Sequence, residues 1–302
     1  MRYCVYGLSV QSEMEMPGLV KDETRLEVPA DVEIQLGAVP NQLQEATTGE
    51  GLTYQLNRRE FRMELANIVK YYVHDGTNII VEFGEDADPA TVRLFLLGSA
   101  MGALLHQRGM LPIHASSIVT PNGAVLFAGP SGAGKSTIAA AFRRRGYKLL
   151  ADDISVITLG DDDIPIVMPS YPQQKLWADT LEQLEENARA YTPVRPAVNK
   201  YNVPITEAFV NEALRFHSMY ILNEHLQALP SLTSITGLDK LSVVFDFVYR
   251  KNFQAQMNVQ EQNLPLSIAI SNHVHLAYVK HNKKTGHMHH LIDLIEKDFS
   301  DG

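Results

Sequence analysis

Residues 129–136 read Gly-Pro-Ser-Gly-Ala-Gly-Lys-Ser, the spacing G-x-x-x-x-G-K-[ST]. Glycines at 129, 132 and 134 let the backbone curl until successive N–H groups point at one anion, and a helix opening at the end of the run adds its partial positive charge. Lys135 is then placed to reach terminal phosphates, and the Ser136 hydroxyl to ligate Mg²⁺. Gly129, Pro130, Ser131, Gly132, Ala133, Gly134, Lys135 and Ser136, with Thr137 behind them, form the predicted nucleoside triphosphate site. ATP and Mg²⁺ are the expected cofactors, and a purely structural glycine turn is the bland alternative. The setting supports the first reading. Apolar Ala124–Ala128 precedes the loop as a buried strand, and a helix-forming run from Thr137 follows it, with Gly146 placed to end that helix.

A second constellation lies downstream. Tyr147-Lys-Leu-Leu-Ala-Asp-Asp153 puts two carboxylates at the end of the next short strand, a position that faces the γ-phosphate and metal in phosphate-binding-loop folds. One carboxylate can hold Mg²⁺ or its water shell while the other accepts the proton of an attacking hydroxyl. Adjacent strand residues point to opposite faces, so both reach one site only where the strand ends or bends. The alternative is an acidic turn. His114, in the apolar run Leu-Pro-Ile-His-Ala-Ser-Ser-Ile-Val, is either a core histidine or a third member of this site, one strand before the loop.

His114, the loop, and Arg145-Gly-Tyr-Lys-Leu-Leu-Ala-Asp-Asp153 resemble the HPr kinase/phosphorylase family in order and spacing, closely over residues 112–158 and diffusely to the C-terminus. The resemblance implies an α/β P-loop kinase core of HPr-kinase (PEP-carboxykinase-like) type with a mixed sheet, acting as an ATP-dependent serine kinase on a peptide or protein. It implies Lys135 and Ser136 on phosphates and Mg²⁺, Asp152 on the metal, and Asp153 as base with help from His114. Three departures stand against true HPr kinase/phosphorylase activity. Thr137 replaces a glutamate, Tyr147 replaces a histidine, and the glycine-rich L-E-I-R-G-x-G signature is absent; Tyr171-Pro-Gln-Gln-Lys-Leu-Trp177 stands in its place without a carboxylate. The opening Tyr6-Gly-Leu-Ser-Val-Gln-Ser-Glu-Met-Glu-Met-Pro-Gly-Leu19, with Lys175-Leu-Trp177, looks like a divergent branch from lasso-peptide gene clusters, which phosphorylates a serine at the precursor's C-terminus. A small-molecule hydroxyl kinase and a non-catalytic ATP-binding regulator of a biosynthetic complex are the rival readings.

The elements that position these residues follow from pattern. Residues 1–86 read as a small antiparallel β-rich module with strands at Tyr3–Val10, Val32–Leu36, Leu52–Leu56, Phe61–Leu65, Ile68–Val73 and Asn78–Phe83. Asp88-Pro89 opens an apolar helix that Gly109 closes, and residues 87–302 form the kinase domain. Strands are expected at Ile113–Val119, Ala124–Ala128, Lys148–Ala151, Ile154–Thr158, Ile164–Met168, Ser218–Leu222 and His275–Lys280. Helices are expected around Trp177–Ala190, at Asp239–Arg250 and at His289–Phe299.

The 302 residues carry a formal net charge of −9 and one cysteine, Cys4. The charge argues against broad nucleic-acid contact, and the lone cysteine fits a reducing compartment. Met1-Arg-Tyr-Cys-Val shows no signal-peptide core, and the greasiest run, Leu94–Leu105, falls short of the ~20 residues a membrane span needs. A cytoplasmic protein is expected, with no membrane partner and with homo-oligomerisation left open. Lys200 and Arg250 are candidate clamps for phosphates or an acidic substrate group, each equally readable as a surface ion-pair partner. His287, His289 and His290 read as an exposed helix face in preference to a metal site. Trp177 reads as core, with a substrate platform as its alternative, and Asp161-Asp-Asp163 as a solvated turn.

Overall fold

A computed structural model of the chain describes residues 1–225, 229–282 and 288–301. Two compact units emerge. One comprises Met1–Pro112, Thr192–Lys200 and Tyr249–Leu264, and the other Ile113–Tyr191, Tyr201–Val248 and Pro265–Gly302.

The first unit is built on nine strands: β1 (Arg2–Val5), β2 (Leu8–Ser12), β3 (Val20–Lys21), β4 (Val32–Leu36), β5 (Gly49–Glu50), β6 (Tyr54–Leu56), β7 (Glu60–Leu65), β8 (Val69–His74) and β9 (Asn78–Phe83). They form one sheet in the order β3-β1-β2-β4-β9-β8-β7-β6-β5. The single strand expected over Tyr3–Val10 is instead a hairpin. Tyr6 and Gly7 both take positive φ, 54° and 75°, which is what a two-residue hairpin turn demands. A bulky aromatic rarely sits there, so the apolar run hides the turn. Nor is the sheet purely antiparallel, because β2 with β4 and β4 with β9 pair in parallel.

Asp88 caps α1 (Pro89–Phe95) as expected, accepting the Thr91 N–H at 2.8 Å and its hydroxyl at 2.7 Å. A π-helical turn at Leu96–Ala100 and then α2 (Met101–Gln107) continue the same rod, and Gly109 follows at φ 70°. The periodicity did not announce the π turn. By length and composition, the rod Pro89–Gln107 is long and apolar enough to cross a membrane, more than its greasiest run indicated, yet 61% of its apolar window is buried inside the protein, as in a core helix.

From residue 111 the order is β10 (Leu111–Ile113), β11 (Ala115–Thr120), β12 (Gly123–Ala128), α3 (Lys135–Arg144), β13 (Lys148–Ala151), β14 (Ser155–Leu159), β15 (Pro165–Met168), β16 (Gln173–Trp177) and α4 (Ala178–Gln183). There follow β17 (Thr192–Pro193), β18 (Lys200–Pro204), β19 (Leu214–Glu224), β20 (Ser231–Ile235), α5 (Asp239–Asp246), α6 (Lys251–Gln256), α7 (Leu264–His273), β21 (His275–His281) and α8 (Met288–Asp301). Three expectations need correction. His114 interrupts the strand expected over 113–119, and the helix expected around 177–190 shrinks to α4 because Trp177 ends a strand. The helix expected to reach Arg250 stops at Asp246; Arg250 sits at φ 54°, outside helical space, and α6 and α7 follow where no element was foreseen.

The central sheet of the second unit runs β14-β15-β19-β12-β11-β13, with β21 beside β19 and β20 beside β21. It is mixed, as expected. β12, β19 and β21 are parallel, whereas β11 is antiparallel to both β12 and β13. Ile138 and Phe142 of α3 and Leu291, Ile295 and Phe299 of α8 pack on Ile118, Val125, Phe127 and Val279 of the sheet. The Phe142 ring stacks on Phe127 at 5.3 Å between centroids and meets Tyr147 at 5.4 Å. Phe142→Ala is therefore expected to destabilise this unit by about 3–5 kcal/mol, read by urea denaturation. A loss near zero would show that α3 is not held by this contact.

Candidate functional site

The loop grows from the end of β12. Gly129 leaves the strand at φ 149°, and a Cβ there would lie 2.8 Å from the Leu222 carbonyl oxygen, so only glycine fits between β12 and β19. Gly134 at φ 99° turns the chain into α3 and offers no side-chain cap, so no side chain competes for the first-turn amides. Pro130, Ser131 and Gly132 are exposed at the tip, while Ala133 is buried. Lys135 is 7% exposed, and its Nζ donates to the Gly129 and Pro130 carbonyls at 2.9 and 3.1 Å, curled over the loop. Ser136 is half-buried, and the Thr137 hydroxyl lies 3.1 Å from that of Thr180.

The antiparallel strand β11 brings the other residues to the same end of the sheet. Ala115 pairs with Ala128, so His114 lies beside the start of the loop, and Ser117 pairs with Ala151, the last residue of β13. Asp152 and Asp153 follow at once, and Asp153 takes φ 74°. That bend lets neighbouring carboxylates serve one site. Asp152 is 4% exposed; its Oδ1 accepts the Ser116 hydroxyl at 2.6 Å and its Oδ2 the Lys175 N–H at 2.8 Å. Asp153 is more open, and its Oδ2 meets Lys175 Nζ at 2.9 Å. His114 Nδ1 lies 2.9 Å from the Asp153 carbonyl oxygen. A carbonyl only accepts, so Nδ1 carries the proton, and in the neutral ring Nε2 carries the lone pair.

Lys175 is the residue that sequence reasoning missed. Its segment carries no carboxylate, yet a lysine inside the strand Gln-Gln-Lys-Leu-Trp, next to buried leucine, is the signal of a buried cation. It is 8% exposed. Burial works against its charge, but Tyr171, Asp153 and Asp152 more than offset this and hold the ammonium protonated well above the ordinary lysine range. Burial, together with the two carboxylates, also pushes the Tyr171 hydroxyl up. Gln174 beside it donates Nε2 to the Ser136 carbonyl at 3.0 Å, which ties β16 to the first turn of α3. His281, at the end of β21, is a further missed residue; its Nε2 reaches the Ala133 carbonyl oxygen of the loop at 3.2 Å.

Mg²⁺ and a polyphosphate fit this set. The side-chain donors offered to a metal, the Ser136 hydroxyl and the Asp152 carboxylate, are hard oxygens. The buried Gln174 Oε1 has no hydrogen-bond partner among the described residues; its own amide holds it against Ser136, an acceptor awaiting a donor. Among the described residues, no group of three or more His, Cys, Asp or Glu side chains is placed to hold a metal ion by itself.

Lys200 and Arg250 belong to the first unit. There the Arg250 guanidinium donates to the Ser99 hydroxyl at 2.7 Å and lies 5.5 Å from the Tyr249 ring. Trp177 is 49% exposed, not core, because it ends its strand. His289 and His290 are exposed on α8, while His287 lies outside the described residues. Asp161–Asp163 form an exposed turn between β14 and β15.

No family profile and no curated protein matches the sequence. One similar solved structure is the Hpr(Ser) kinase/phosphatase from Coxiella burnetii, at 12% identity and a TM-score of 0.34, covering 63% of this chain and 91% of that one.

Proposed function

We propose that this chain is an ATP-dependent serine kinase acting on a flexible peptide or protein segment. The observation that carries the reading is the Asp152/Asp153–Lys175–His114 cluster at the sheet end from which the phosphate loop departs, since a pure nucleotide binder needs no poised carboxylate. When bound, Mg·ATP supplies the phosphoryl group and the metal charge that offsets its negative oxygens. Lys135 leaves its two carbonyls for the phosphates, and the first-turn amides of α3 hold them. Ser136 and Asp152 are the metal side. Asp152 suits that part because Ser116 and the Lys175 amide fix its orientation. Asp153 suits the base: it is the more accessible carboxylate, and it takes the proton from the acceptor hydroxyl. The His114 Nδ1–H bond to its carbonyl holds the bend in place.

The finer reading is a serine at the C-terminus of a lasso-peptide precursor, in the cytoplasm, with no nucleic acid or membrane involved. It rests on the motif order and on the N-terminal pattern of the chain. A second reading, a non-catalytic ATP-binding regulator, draws on one observation. A carboxylate tied to a buried ammonium at 2.9 Å is a weak base.

Lys135→Ala is expected to cut phosphotransfer from Mg·ATP to a serine peptide by roughly 10²–10³-fold with the fold intact; normal transfer by mass spectrometry would overturn the kinase reading. Asp153→Asn should lower kcat by ~10²–10⁴-fold and spare Mg·ATP binding, whereas Asp152→Asn should weaken that binding in calorimetry. Equal effects from both would remove the division of labour. Lys175→Met should cost about 1–3 kcal/mol of stability by taking the buried ammonium away from the partly exposed Asp153 carboxylate, and the double variant with Asp153→Asn should recover part of it in chemical denaturation. No recovery would show that the pair is not coupled.

A further inference from the structure

We propose that the second unit carries a pH-gated oxyanion site, for a phosphate or phosphomonoester, at the end of its sheet opposite the phosphate loop. The strand directions fix the place. β12 runs into the loop at Ala128, and β19 and β21 run parallel to it, so the first residues of all three strands gather at the far end. A cavity of about 820 Å³ opens there. Asn122, just ahead of β12, Arg215 and His217 of β19, and His273 and His275 around the start of β21 line it, with Asp298 and Asp301 of α8. None of these residues belongs to the kinase site proposed above, and the inference stands without that reading.

Arg215 and His217 are two apart on one strand and share a face. Asp298 already has its donors: the Tyr220 hydroxyl at 2.8 Å and His275 Nε2 at 2.9 Å, both on the same oxygen. Asn122 donates to the Phe299 carbonyl at 3.3 Å and fixes the rim. His217 Nδ1 lies 3.1 Å from the Ser218 hydroxyl. Burial first, then the positive charge of Arg215 and His275 nearby, hold its pKa below the usual histidine range. An oxyanion placed among them relieves that repulsion, and the planar guanidinium fork with imidazole N–H donors suits a tetrahedral dianion.

The lining also sets the sign of the pH dependence. With the imidazoles neutral, one guanidinium faces the two carboxylates Asp298 and Asp301, and an anion is repelled. With His217, His273 and His275 protonated, four cations face the same two carboxylates. Anion binding therefore takes up protons, and affinity rises as pH falls through the histidine range.

The test uses the full chain and the imidazole Cε1–H resonances of His217 and His275, assigned with His217→Gln and His275→Gln. Inorganic sulfate is the probe, because its charge is constant over the range, and chloride at matched ionic strength is the control. The expected result is a saturable shift of both resonances, with half-saturation at least ~tenfold lower at pH 6 than at pH 8. Arg215→Ala, at an exposed position, should abolish it, and inorganic phosphate at pH 6 should reproduce it. Equal shifts in chloride, saturation unchanged by Arg215→Ala, or affinity independent of pH would each overturn the proposal.

Discussion

A lysine ammonium buried at Lys175 must find carboxylate in a place where water cannot serve, and much of the candidate site follows from that need. Asp153 meets it at 2.9 Å only because the chain leaves β13 through a positive φ at that residue. The Lys175 N–H in turn holds Asp152, and the preceding Gln174 reaches the first turn of α3. One strand, β16, thus ties the carboxylate bend to the loop helix. Removing the charge would free the bend, and removing the bend would strand the charge. Such pairs add little net stability against an apolar replacement, yet breaking one partner is costly.

The sheet order supplies the rest of the geometry. Loop and carboxylates sit at the ends of β12 and β13, which are not neighbours; β11 lies between them, antiparallel to both. An antiparallel partner begins where its neighbours end. His114, before β11, therefore arrives at the same edge as Gly129 and Asp153. Parallel β19 and β21 deliver Leu222 and His281 to that edge. Leu222 sets the close approach that makes glycine obligatory at 129, and His281 anchors the loop carbonyl at Ala133. The stacked rings of Phe127 and Phe142 keep α3 on this scaffold.

Local structure follows the sequence where one short stretch of chain carries the signal. Asp88-Pro89 caps and opens α1 from two adjacent residues, and Val32–Leu36 and Asn78–Phe83 are strands by alternation. Elsewhere backbone geometry and long-range pairing override composition. Tyr6 takes a turn conformation that its side chain disfavours, and the helix expected to reach Arg250 ends at Asp246, because Val248 is drawn into a bridge with Ile113. Trp177 looked like core by residue type, but the end of its strand leaves it half in solvent.

The sequence alone determined the loop, the helix behind it, the strand that feeds it and the paired carboxylates, because each depends on residues within a few positions of one another. It also determined that His114 precedes the loop by one strand. Only the tertiary structure decided which partners those groups have. Lys175 pairs with Asp153, Gln174 with Ser136, His281 with Ala133, and Arg215 gathers with three histidines at the opposite end. Each of these depends on strand order and direction, which are set by burying apolar faces across the whole unit. A polar residue's neighbours in space are fixed by that packing, and no local spacing records it.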